Sequence, residues 1–237
     1  QDMKLAFSRK KELKRELFQV VADQSGKIFQ EDVLTIVWAR RFAGYKRANL
    51  LLDDIGRFFR MVNKEGMPVQ VIWAGKPYPE DHGSIDIFND IIAKVKSMPN
   101  CTVLTGYELR LSALLKGGSD VWLNNPKIYR EAAGTSGMAA AMKGSVNVSI
   151  PDGWVPEFAK HGKNCFSIEA ADTALDEKEK NRIEASNIYD VLEKDVIPTY
   201  YSKPDKWFKI MTQGWADVRE EFDADRMARE YYELLYA

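Results

Sequence analysis

The stretch Glu131 to Trp154, EAAGTSGMAAAMKGSVNVSIPDGW, packs a turn, a helix start, a buried strand and a second polar turn into a short space. Gly134, Thr135, Ser136 and Gly137 stand immediately before MAAAM. Small hydroxyl residues and glycines at a helix start leave backbone N–H groups free to face an anion, so a phosphate or a sugar hydroxyl suits this position. GTSG alone serves equally as an ordinary cap on a buried Ala/Met helix. The flanks tip the reading toward a ligand: Glu131 precedes the loop, and Asp152-Gly153-Trp154 follows the strand.

Outward from this stretch, apolar β-branched runs alternate with helical periodicity. Val33–Ala39, Val69–Ala74, Thr102–Leu104 and Asp120–Leu123 read as strands of the buried type. Between them, helices are expected from about Tyr45 to Val62, from Ile85 to Lys96 and from Leu109 to Leu115. Such alternation implies right-handed crossovers and a parallel sheet covered on both faces, with ligands at the carboxyl ends of the strands. The polar clusters sit at those ends: Arg40/Arg41, Lys76, Tyr107/Glu108, and Asn124 to Thr135. Together they describe a cationic crevice.

Before the first strand, residues 4–23 predict an amphipathic helix with Leu5, Leu13, Leu17, Val20 and Val21 on one side and its Lys/Arg run on a solvated face. Ser25-Gly26 breaks it. After the central stretch come a strand at Cys165–Ile168, a charged helix at Asp176–Lys194 and a helical tail. In that tail Gly214 is expected to kink and Asp223 to cap, while Trp207, Phe208, Trp215, Phe222, Tyr231 and Tyr232 serve as core packing.

Of the 237 residues, 45% are hydrophobic and 29% charged, enough for a full α/β core. A formal charge of -1 gives no electrostatic case for nucleic acid or membrane. Cys101 and Cys165 are isolated, and His82 and His161 lie far from them in sequence. That spacing argues against a zinc site or a disulfide framework and fits a reducing cytoplasm. No run of 18 apolar residues occurs, and the charged helical start is unlike a signal sequence; its abruptness suggests a domain excised from a longer protein.

Four ordered motifs now carry a family resemblance: RRFAGYKRANLLL (40–52), VIWAGKPYP (71–79), GYELRLSALLKGGSDVWLNNP (106–126) and the 131–154 stretch. They resemble the C-terminal domain of glycogen/α-glucan (maltodextrin) phosphorylases over roughly Leu34 to Ala170. The resemblance implies a Rossmann-like parallel sheet with helices on both faces, the C-terminal half of a GT-B glycosyltransferase fold. Residues 1–237 would be that one domain, with a core at about 30–170 and C-terminal helices at about 174–237. It further implies catalytic roles at the substrate phosphate for Arg41 and Lys46. Glu131, Ala133, Gly134 and Lys76 would hold substrate, and Arg40, Tyr107, Thr135 and Ser136 the phosphate of a pyridoxal phosphate cofactor. No metal is implied.

The implied activity is phosphorolysis of an α-1,4-glucan to glucose 1-phosphate in the cytoplasm. Its partners are glucan, phosphate or sugar phosphate, and an N-terminal domain of the same chain, with homo-oligomerisation open. One departure is decisive for the cofactor. The family tethers pyridoxal phosphate through a lysine directly after the loop methionine, and here Met138 is followed by Ala139. Lys143, four residues on, is a candidate substitute anchor. Glu108 and Ala43 also depart from the family. A retaining sugar-nucleotide glucosyltransferase therefore stays open, although a second carboxylate eight residues after Glu131 is absent, as does a noncatalytic glucan-binding homologue.

Overall fold

The computed structural model describes residues 2–236. Six strands form one parallel sheet: β1 (Leu34–Ala39), β2 (Val69–Ala74), β3 (Cys101–Leu104), β4 (Val121–Asn124), β5 (Val146–Ser149) and β6 (Phe166–Ser167). Their order is β3-β2-β1-β4-β5-β6, the Rossmann-like arrangement. The chain builds outward from β1 to β3, then returns to the centre for β4. The direction of winding therefore reverses between β1 and β4, where a crevice opens at the carboxyl edge.

The strands are buried nearly throughout because both faces are covered. Alternate residues of β1 divide between two cores. Ile36 and Trp38 join a core closed by α2 (Ile55–Val62), α3 (His82–Val95), α7 (Glu177–Val191), α8 (Ile197–Ser202) and α9 (Pro204–Glu221). Val37 and Ala39 face α1 (Asp2–Ser25) and α4 (Leu109–Gly118), with Ala140 of α5 (Thr135–Ala141). A short α6 (Val155–Phe158) and the final α10 (Ala224–Leu235) complete the helices.

Several expectations change. The helix expected from Tyr45 is two 3₁₀ turns, Gly44–Lys46 and Leu50–Leu52, before α2 starts behind the Asp54 cap. Arg47 breaks it, adopting φ 52°, which a continuing helix excludes. The lysine run of α1 is not wholly solvated. Lys10 donates to the carbonyls of Gly117, Ser119 and Lys143, and Lys14 pairs with Asp120 at 2.6 Å in the interior. Carbonyls at the end of α4 draw the Lys10 ammonium inward, and the Val33 carbonyl with the Asp120 carboxylate draws that of Lys14.

Helix α9 runs unbroken through Gly214, and a Cβ there would meet the Asn164 carbonyl oxygen at 2.7 Å, so glycine serves close packing. Asp223 caps α10. Trp207 is core, but Tyr231 and Tyr232 are exposed on α10, which buries none of its residues.

Candidate functional site

Two loops meet where the winding reverses. Arg40 and Arg41 leave β1, Lys46 sits on the 3₁₀ turn that follows, and the chain after β4 carries Glu131. Lys46 Nζ donates to Glu131 Oε1 at 2.8 Å, and Arg40 Nη1 approaches the same oxygen at 3.4 Å. Arg40 is almost fully buried, which works against its charge; Glu131, then Tyr107 and Tyr45, oppose that. A guanidinium nonetheless stays charged in a protein. Its Nε has no protein acceptor among the described residues, an orphan donor that an anion could satisfy.

The Glu131 loop is held by backbone contacts. One carboxylate, Asp152, accepts the N–H groups of Tyr129, Arg130 and Glu131 at 2.9, 3.0 and 2.9 Å. Tyr129 is thereby kept at φ 63°, strained for an aromatic residue. Gly153 is obligatory, since a Cβ would lie 2.4 Å from the Ala133 carbonyl oxygen and φ is +62°. Gly134, at φ 86°, turns the chain into α5. The N–H groups of Thr135 and Ser136 find no acceptor among the described residues, as a helix start dictates. Asn147 fixes the loop from below: its Nδ2 donates to the Gly137 carbonyl at 3.0 Å while its Oδ1 accepts from Asn124 at 3.1 Å.

Arg40, Lys46, Glu131, Ala133, Gly134 and Ser136 thus line one small cavity. Arg41, Lys76 and Tyr107 line a second of about 350 Å³ beside it, with Pro77, Tyr78 and Pro79. Thr135 is exposed at the start of α5. The Tyr107 hydroxyl lies 3.3 Å from Ser112 Oγ, which accepts from Lys116 Nζ at 2.6 Å. Glu108 caps α4, accepting the N–H groups of Arg110 and Leu111, and these hold its carboxyl below the usual range.

Sequence reasoning missed Arg47, whose guanidinium donates to the carbonyls of Asn125 and Pro126 and pairs with Glu184. Through it α7 positions the segment leading to Glu131. It missed Asn147 as well, although an asparagine inside an apolar parallel strand was the available signal. The Cys101 and Cys165 thiols are pushed up by burial to about 12 and 11.

A covalently held pyridoxal phosphate does not fit these residues. Ala139 offers no amine, and Lys143 stands past the far end of α5, where its carbonyl accepts from Lys10 at the opposite edge of the sheet.

An open parallel sheet with cations, a carboxylate and free N–H groups gathered at its reversal point defines a Rossmann-like α/β domain. An uncharacterized protein of Methanocaldococcus jannaschii is 47% identical over 236 residues, 99% of this chain and 44% of its own length. Maltodextrin phosphorylase of Thermococcus litoralis is 38% identical over 213 residues, 87% of this chain and 25% of its own. Glycogen phosphorylase of Aquifex aeolicus is 36% identical over 220 residues, 90% and 31% respectively. The chain is a homologue of one segment of the glycogen and maltodextrin phosphorylases, and it spans less than half the length of these curated relatives. No protein-family model matches it.

Proposed function

We propose that this chain supplies the sugar- and phosphate-binding half of a GT-B glucosyltransferase related to α-glucan phosphorylase. The enzyme moves glucosyl units between an α-1,4-glucan and a phosphate-bearing partner, phosphorolysis to glucose 1-phosphate being its simplest form. The observation that carries the reading is the convergence of Lys46 and Arg40 on Glu131 at the reversal point of the sheet. A carboxylate held by two cations accepts sugar hydroxyls, and the same cations then neutralise the charge on a departing phosphate. The Thr135 and Ser136 N–H groups add fixed donors at no reorganisation cost. The second half of the cleft comes from another domain of the whole protein.

Whole protein containing this chain is incubated with maltodextrin and labelled glucose 1-phosphate, ADP-glucose or UDP-glucose in turn. Label enters glucan from at least one donor, and Glu131→Gln lowers that rate at least about 100-fold. No incorporation from any donor overturns the reading.

A further inference from the structure

The amino edge of the sheet carries a cavity of its own, of about 290 Å³. Asp120 immediately precedes β4 and Asp32 stands two residues before β1, so this cavity lies at the opposite end of the strands from Glu131. The length of β1, roughly 20 Å, separates the two edges. Helix α1 contributes Phe7, Lys10 and Lys14 to the lining, α8 contributes Tyr200, and α9 contributes Trp207 and Met211. The Tyr200 and Trp207 rings meet at 86° with their centroids 5.1 Å apart.

Most of the charge here is already spent on protein partners. Lys10 donates to three carbonyls, Lys11 pairs with Asp32, and Arg15 with Glu31. Lys14 and Asp120 keep capacity in reserve. An ammonium has three N–H groups, and Lys14 gives two of them to the Val33 carbonyl and Asp120 Oδ2, at 2.7 and 2.6 Å. The third meets only the ring faces of Phe18 and Tyr200, each 5.9 Å away, among the described residues. On Asp120, the Thr35 N–H shares Oδ2 with Lys14, so neither donor uses Oδ1. The Tyr200 hydroxyl stands near that carboxylate, and burial together with the Asp120 charge pushes its pKa up. A spare donor on a side chain 1% exposed thus stands beside a spare acceptor on one 3% exposed. A hydroxyl, donor and acceptor at once, answers both.

The alternatives fit less well. Asp120 repels an anion, and Lys10 and Lys14 repel a cation. A wholly apolar ligand strands the Lys14 and Asp120 heads without water. Water serves that polar floor but gains nothing from the aromatic wall. A pyranose has both a hydroxyl edge and an apolar C–H face that lies against an aromatic ring. The volume suits one such ring rather than a chain of them.

We propose that this amino-edge cavity binds one neutral hexopyranose ring, a hydroxyl bridging Lys14 and Asp120 while the C–H face packs into the Tyr200–Trp207 corner. The site is separate from the glucosyl-transfer reading above and stands or falls without it.

The test uses whole protein carrying Glu131→Gln, which disables the sugar carboxylate at the other edge, titrated with glucose by saturation-transfer NMR. Glucose binds this variant saturably. Adding Tyr200→Phe, which keeps the ring and removes the hydroxyl, weakens glucose at least about fivefold. Adding Lys11→Trp, which sets an indole at the half-exposed mouth, abolishes binding. Inorganic phosphate does not displace the sugar. Maltotriose is run beside glucose: equal or tighter binding assigns the cavity to the end of a glucan, weaker binding to the free sugar, and either supports a pyranose site. No saturable glucose binding to the Glu131→Gln protein, binding that ignores both added substitutions, or displacement of glucose by phosphate overturns the proposal. The transfer reading is judged apart, by the glucose binding that Glu131→Gln removes and that Tyr200→Phe and Lys11→Trp leave unchanged.

Discussion

Asp152 shows how a carboxylate spent on backbone N–H groups sets the direction of a neighbouring one. Its two oxygens gather three successive N–H groups and so fix the direction in which Glu131 leaves the loop. Tyr129 and Arg130 are exposed, so water replaces part of what an alanine removes. Asp152→Ala is therefore expected to cost only about 1–2 kcal/mol in urea denaturation. Glucose 1-phosphate affinity should fall further, at least about 100-fold or roughly 2.7 kcal/mol by calorimetry, because the carboxylate loses its aim. Equal losses in stability and affinity would show that the loop is merely unfolding. At this scale the site was half legible. Glu131 and GTSG stand out by composition, as do the cations at strand ends. Arg47 and Asn147 do not, because their partners, Glu184 and the Gly137 carbonyl, are set by tertiary packing rather than by spacing.

Helix α1 carries a sharper lesson about elements. Its period announces an amphipathic helix, and Leu17 and Val21 are fully buried as that period requires. The same period places Lys10 and Lys14 on the buried stripe with Leu17 and Val21, where carbonyls and Asp120 satisfy their ammonium heads. Lys14→Met leaves Asp120 buried without the ammonium that pairs with it, the Thr35 N–H being the remaining donor to the same oxygen among the described residues. It should cost roughly 3–5 kcal/mol in chemical denaturation.

Lys10 makes α1 sensitive to pH. Burial, reinforced by Lys14 and opposed by Asp120, pulls its ammonium down to about 8 from 10.5. Between those values the unfolded chain binds the extra proton, so this group's contribution to stability rises with pH across that window and is lowest below pH 8. The gain is at most roughly 3 kcal/mol. The stability difference between the protein and Lys10→Met should therefore grow in the protein's favour from pH 7.5 to pH 10. A difference flat with pH would show that Lys10 keeps its ordinary value.

Across the whole molecule the parallel sheet covered by helices on both faces was the most legible feature, since β-branched runs separated by helical periods allow few topologies. The parts that failed are local: the 3₁₀ turns after β1, and the C-terminal aromatics, of which α10 leaves Tyr231 and Tyr232 to solvent.

The same architecture governs what these 237 residues can do alone. Two continuous cores on either side of the sheet are enough for cooperative folding. Catalysis asks for something more. Arg41, Lys76, Ala132, Ala133 and Thr135 are all exposed, so on the proposed reading a glucosyl group held by Glu131 would face bulk water on its other side. Stabilising an oxocarbenium-like transition state needs a closed site of low dielectric, where fixed charges act strongly and water cannot intercept the sugar. This chain by itself should therefore bind glucose 1-phosphate with Glu131 dependence but transfer no glucose to maltodextrin, whichever donor is supplied. A labelled-glucan assay over hours, run beside calorimetry on the same preparation, checks both halves. Elongation by the 237-residue chain would mean that one wall of the cleft suffices and that those exposed residues do not mark where water must be excluded.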